Sequence, residues 1–324
     1  MVNKEEKEIK GSESFYGQAI ATRDAYGKAL YQLGMRRKDI VVLDADLSGS
    51  TKTAMFARAF PERFFNIGVS EQDMVGVAGG LSLTGKIPFA STFAIFETGR
   101  AWEQVRQTIC YSRLNVKLVA THAGITVGED GASHQALEDI AVMRVLPEMT
   151  VIVPSDGFET EQVISTIAEY EGPVYVRLGR GKVPPVMPED YRFEIGKAYV
   201  FHLGKDLNII ATGIMVSEAL KARDILRADG IDAGVINMST IKPLDEETVL
   251  KAAEASNFII TAEEHSIIGG LGSAIGEYLS EERPVRIKRI GVRDRFGRSG
   301  KPEELMKLYG LTAGDIVKAA HQYL

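Results

Sequence analysis

The run "DIVVLDADL", residues 39–47, sets four apolar side chains in unbroken succession and closes on two acids. A strand with one face in water alternates polar and apolar residues, whereas a parallel strand covered on both faces by helices does not. The run is therefore predicted to be a buried parallel strand whose carboxyl end carries functional groups. A helical pattern from Tyr16 to Leu33 precedes it, and the same grammar recurs in "RFFNIGV", "KIPFAST", "NVKLVATHAG", "MTVIVPS" and "GPVYVRLGR". Each is a short apolar run followed by a glycine, serine or threonine turn. Strands alternating with helices imply an α/β fold with a mostly parallel sheet flanked by helices, and ligands beyond the strand carboxyl ends.

Prolines and charges interrupt the pattern in "GKVPPVMPEDYRFEIG", residues 181–196. This predicts a boundary, with a first domain over 1–190 and a smaller α/β domain over 191–324. The second contains four more buried-strand candidates, "LNIIATGIM", "IDAGVINMST", "NFIITAEEH" and "VRIKRIGV".

Composition bounds the chemistry. A formal charge of -6 gives no basic footprint, so neither nucleic acid nor an anionic membrane is an expected partner. A ligand phosphate would have to be held by a few local arginines. One cysteine, Cys110, excludes an intramolecular disulfide framework and a thiolate-rich metal site, and suits a reduced, cytoplasmic setting. The opening "MVNKEEKEIKGSESF" mixes acids with lysines and has no apolar core, unlike a signal or transit peptide. No apolar run approaches membrane-spanning length.

In "NIGVSEQDMVGVAGG", residues 66–80, Glu71 opens an apolar, glycine-dotted helix with no neighbouring cation to pair with it. Such a carboxylate is either solvated at the helix N-terminus or held in a low-dielectric contact that suits catalysis. "STFAIFETGRAWEQVRQ", residues 91–107, puts Phe93 and Phe96 on one face, as core or as a platform for a flat heteroaromatic ring. "THAGITVGEDGASHQ", residues 121–135, gathers His122, Asp130 and His134 in one glycine-rich loop. The spacing matches no short metal-ligand motif, and hydrogen bonding to a polyhydroxylated substrate suits these residues better. Arg23, Ser50 and Arg180 lie at element edges. Each is either a surface residue or, if the sheet brings them to His122, part of an anion cradle. "GGLGSAIG", residues 269–276, comes close to a dinucleotide-binding turn, but its spacing is off by one.

Taken in order, "DADLSGS", "NIGVSEQDM", "STFAIFE", "THAGITVGEDGASHQ" and "GPVYVRLGR" resemble the C-terminal portion of transketolase, over nearly the whole chain. The resemblance implies a pyrimidine-binding domain and a C-terminal domain of a thiamine diphosphate enzyme, without the domain that holds the diphosphate. It implies the B subunit of a split transketolase in a heterotetramer, whose separate partner carries the Mg2+ ligands, acting on the sugar phosphates of the pentose phosphate pathway. By the same resemblance Glu71 matches the glutamate that hydrogen-bonds the cofactor's pyrimidine, a role needing a protonated carboxyl in an apolar, charge-poor setting. Phe96, with Phe93, matches the stacking wall. Arg23, Ser50, His122 and Arg180 match residues gripping the sugar phosphate, and Asp130 and His134 match those that read its hydroxyls. Gly99 departs from the pattern, since single-chain transketolases often carry an aromatic there. Deoxyxylulose phosphate synthases and the beta subunits of two-oxoacid dehydrogenases are the alternatives, and a non-enzymatic scaffold relative is a third. Against the synthase stand "ATHAG", where that family has Asp-Arg, and the missing diphosphate domain; against the dehydrogenase stands the polar "GEDGASHQ" loop.

Overall fold

The computed structural model describes residues 14–324, so the charged opening 1–13 lies outside the described residues. Every apolar run named above is a strand. Among the described residues the first sheet has seven strands, in the order Thr240–Lys242, Thr150–Ile152, Val174–Arg177, Lys117–Ala120, Ile87–Ser91, Ile40–Asp44 and Phe64–Asn66. All its pairings are parallel except the first, where Thr240–Lys242 runs antiparallel to Thr150–Ile152. All five residues of Ile40–Asp44 are buried, as a strand covered on both faces must be.

The second sheet runs Arg286–Val292, Phe258–Ser266, Leu207–Ala211, Ala233–Asn237, Tyr199–His202, with only Tyr199–His202 antiparallel. The two sheets do not stand apart. The Thr240–Lys242 strand leaves the second half of the chain to extend the first sheet. One buried cluster also runs from Leu43 and Met74 through Ile210 and Ile236 to Leu271.

The first helix differs from the expected span: it covers Thr22–Arg36, while Ile20 and Ala21 pair antiparallel with Lys182 and Val183. Gly17 at φ 72 turns the chain out of the helical path, which ends the apparent periodicity there. No described helix is long and apolar enough to cross a membrane.

Candidate active site

The carboxyl ends of the central strands form the floor of the site. Asp44 is fully buried and accepts from Leu47 N and from the hydroxyls of Thr51 and Thr53, at 2.6, 2.6 and 2.8 Å. Those contacts tie down the turn after the strand and present the Ser50 carbonyl to Arg23, whose Nη1 lies 3.2 Å away. Arg23 therefore engages the carbonyl of Ser50, not its hydroxyl.

The same Arg23 Nη1 lies 3.1 Å from Nε2 of His122. A guanidinium only donates, so Nε2 is the acceptor; the proton sits on Nδ1, which donates to the Thr121 hydroxyl at 2.9 Å. Burial, then the positive charges of Arg23 and Arg180, lower the His122 pKa to about 3. His122 is thus a neutral imidazole of fixed tautomer, held at φ 57 at the strand end. Its ring stacks on Phe93 at 3.8 Å, and Phe93 stacks on Phe96 at 5.8 Å. With one face taken by His122, Phe93 links the imidazole to Phe96 and presents no open platform of its own. His134 meets Phe96 edge-on at 5.3 Å, its Nδ1 2.9 Å from the Ser133 hydroxyl. Arg180 donates to the Val127 carbonyl and lies 3.5 and 3.7 Å from the carboxylates of Glu129 and Asp130.

Glu71 heads the Glu71–Ser82 helix and is 4% exposed. Its setting corrects the expectation that it has no cation and a charge-poor environment. Arg100, 29 positions on in sequence, puts Nη1 2.9 Å from Glu71 Oε1 and lays its guanidinium 4.2 Å over the Phe96 ring. All nine site residues read from the sequence thus join one chain of contacts and charge interactions, from Glu71 through Phe96 and His122 to Arg180.

Sequence reasoning missed two members. Arg100 had a signal, since it stands four residues after Phe96 in a helix and so shares its face. Glu97 had none. It is fully buried, neither carboxyl oxygen has a hydrogen-bond partner, and burial, then the charges of Asp44 and Glu71, raise its pKa well above the usual range. At Gly99 an added Cβ would meet open space.

The dinucleotide reading ends here. The glycine turn at 269–272 is filled by the chain's own Glu263, whose carboxylate accepts from Leu271 N and Gly272 N at 2.8 and 2.9 Å, where a dinucleotide phosphate would sit. Among the described residues no three His, Cys, Asp or Glu side chains converge so as to hold a metal ion.

Residues 18–185 match the family model described as "Transketolase, pyrimidine binding domain", and residues 196–316 match "Transketolase, C-terminal domain". The chain belongs to the transketolase family. Within that family it is 56% identical to the "Putative transketolase C-terminal section" of Methanocaldococcus jannaschii, over 91% of this chain and 94% of that one. It is 43% identical to "6-deoxy-6-sulfo-D-fructose transketolase subunit SqwH" of a Clostridium species, over 93% of each. Human transketolase is 38% identical over 94% of this chain but only 49% of its own length. Among solved structures, "Split gene transketolase, inactive beta4 tetramer" superposes with a TM-score of 0.87 at 56% identity, covering 94% of this chain and 98% of that one. The transketolase family depends on thiamine diphosphate and transfers ketol units.

Proposed function

We propose that the chain is the C-terminal subunit of a two-chain transketolase, moving a two-carbon ketol unit between a ketose phosphate and an aldose phosphate with a separate diphosphate-binding subunit. One observation carries the reading: a carboxyl at a helix N-terminus, an aromatic ring and a neutral histidine beside two arginines are linked, through Arg100 and Phe93, in one cluster, in a chain that spans almost all of its split relatives and about half of human transketolase.

The residues present suit one end of thiamine diphosphate. In this reading Glu71 hydrogen-bonds a ring nitrogen and Phe96 stacks on the flat pyrimidine once Arg100, which now pairs with the one and covers the other, has moved aside. The other end, a diphosphate with Mg2+, this reading assigns to the partner, in keeping with a chain that matches the pyrimidine-binding and C-terminal domains of transketolase. When bound, the cofactor supplies the carbon nucleophile; this chain supplies orientation and a proton at the Glu71 carboxyl. The neutral His122 offers a polar edge that adds no charge beside the substrate, while Arg23 and Arg180 grip the terminal anion and Asp130 and His134 read hydroxyls. The named substrates of two relatives, 6-deoxy-6-sulfo-D-fructose and apulose 4-phosphate, carry an anion at one end, which is what such a cradle suits. The expected assembly is a heterotetramer with two sites, working in the cytoplasm.

The test is a ketol-transfer assay with xylulose 5-phosphate and ribose 5-phosphate, thiamine diphosphate and Mg2+, on the chain alone and on the complex it forms in its native extract. Activity confined to the complex supports the reading. A complex inactive on sugars but active on pyruvate overturns it.

A further inference from the structure

The segment "VRIKRIGVRDRFGRSGK", residues 285–301, carries seven Lys or Arg against a single acid, Asp294, in a chain of net charge -6. Its first half is the Arg286–Val292 edge strand of the second sheet, and cations along an edge strand guard it against pairing with another chain. That accounts for charge on the strand. It does not account for cations that arrive from other elements at the same place.

A recess of about 410 Å3 opens beside the strand. Lys288 and Arg289 reach it from the strand, Arg293 and Arg295 from the turn that follows, Lys307 from the last turn of the Pro302–Tyr309 helix and Lys318 from the Ala313–Tyr323 helix. Their contacts are to neutral groups. Lys288 donates to the Tyr323 hydroxyl, Arg289 to the Ile267 carbonyl, Arg293 to the Arg289 carbonyl and Arg295 to the Leu308 carbonyl, with Arg295 also 4.2 Å over the Tyr309 ring. Among the described residues none of the six lies within ion-pairing distance of a carboxylate. The one acid in the wall, Asp315, is already spent on the Thr312 hydroxyl and backbone as a helix cap. Lys307 gains from the helix C-terminus it occupies, but that settles one cation of six.

Like charges from four segments converging on one concavity destabilise it while it is empty, and a recess focuses their field on whatever enters. Six cations against one committed acid exceed what a single phosphate neutralises. The volume falls within the range of small-ligand pockets, roughly 300 to 1,000 Å3. Planar guanidinium groups suit phosphate oxygens. We propose that this recess is a binding site for a small anion bearing two or more linked phosphoryl groups. It shares no residue with the Glu71–His122 site and does not depend on how that site is read.

The experiment is calorimetric titration of the full chain with sodium tripolyphosphate in about 0.15 M chloride, without divalent cations. The expected result is saturable binding of one equivalent, with a rise in Tm. Binding should weaken tenfold or more in the Lys307→Gln, Lys318→Gln double variant, whose two exposed side chains hold no other element in place. It should persist in Arg180→Gln. An Arg293→Gln variant gives a second, independent loss. Equal affinity in the double variant overturns the proposal. So does loss in Arg180→Gln, which would put the anion on the other cradle, or non-saturating heat that sulfate reproduces at equal ionic strength. ATP binding at least as tightly as tripolyphosphate supports the site, whereas a poly-glutamate peptide binding tenfold more tightly would make it a protein dock and overturn it.

Discussion

Arg100 stands between the two residues that a pyrimidine ring would need. Its guanidinium pairs with Glu71 and covers Phe96, yet the side chain is 52% exposed and free to swing outward. On the proposed function, cofactor binding displaces it. Arg100→Met keeps the apolar stem and drops the cation, so thiamine diphosphate should bind the two-chain assembly several-fold more tightly, as read by calorimetry; weaker binding would make Arg100 a ligand of the cofactor instead of its competitor. Glu71→Gln should leave the fold intact and cut turnover of the complex by 10²-fold or more, the scale of a lost acid–base group. Wild-type rates in that variant would remove Glu71 from proton transfer. Glu97 argues differently, from stability. Its native pKa is raised, so its contribution is fully present below the unfolded value of 4.5 and is lost as pH rises through the native one. Glu97→Leu removes a buried carboxyl with no partner. Denaturant unfolding should show a gain of about 1–3 kcal/mol, larger at pH 8 than at pH 5. A loss of stability at both pH values would mean that Glu97 is satisfied by something the buried contacts do not show.

At the scale of elements, the loop at 121–135 is held from the second half of the chain. Thr126 N donates to Glu264 at 2.7 Å, and Gln135 donates to the Ile125, Gly128 and Arg298 carbonyls. Gly124, at φ 81, makes this possible, because a Cβ there would come within 2.3 Å of the Glu264 carboxyl. Gly124→Ala should therefore cost about 2 kcal/mol or more and raise amide exchange across Ile125–Asp130 ahead of the rest of the first sheet. Exchange unchanged in that segment would show that Glu264 does not set the loop. The loop was legible as a candidate site in "THAGITVGEDGASHQ", since polar residues and glycines after a buried strand have few structural uses. Its support was not, because Glu264 lies 138 positions from Thr126 and inside what reads as a plain apolar strand. The strands themselves were legible because unbroken apolar runs bounded by turns have one economical reading in an α/β chain. The Thr240–Lys242 strand, three residues crossing to the other sheet, has no such run. Glu263 likewise hid the meaning of the glycine turn, which only the fold shows to be closed by the chain's own carboxylate.

Several large apolar side chains on the elements that flank the first sheet face outward, among them Met35, Leu83, Tyr111 and Val145. Leu83, just past the Glu71–Ser82 helix, is 76% exposed, and Tyr111, just past the Val105–Cys110 π-helical turn, is 84% exposed. Those two elements pack closely: a Cβ on Gly79 would stand 2.8 Å from Thr108. Val69, 74% exposed, precedes the same helix that Glu71 heads. On the proposed function, exposed apolar side chains at the ends of the helix that Glu71 heads are where a second chain would complete a shared site, and stable association needs roughly 1,600 Å2 in total. That surface and the incomplete cofactor site are then two views of one requirement. Leu83→Glu with Tyr111→Glu places charge there without touching the core, so unfolding of the isolated chain should shift by no more than about 0.5 kcal/mol. Association, followed by light scattering across a dilution series, should weaken tenfold or more, and ketol transfer by the complex should fall in step with it. If association holds and activity alone falls, the two side chains act on the site and the interface lies on another face; if neither changes, this surface has no part in assembly.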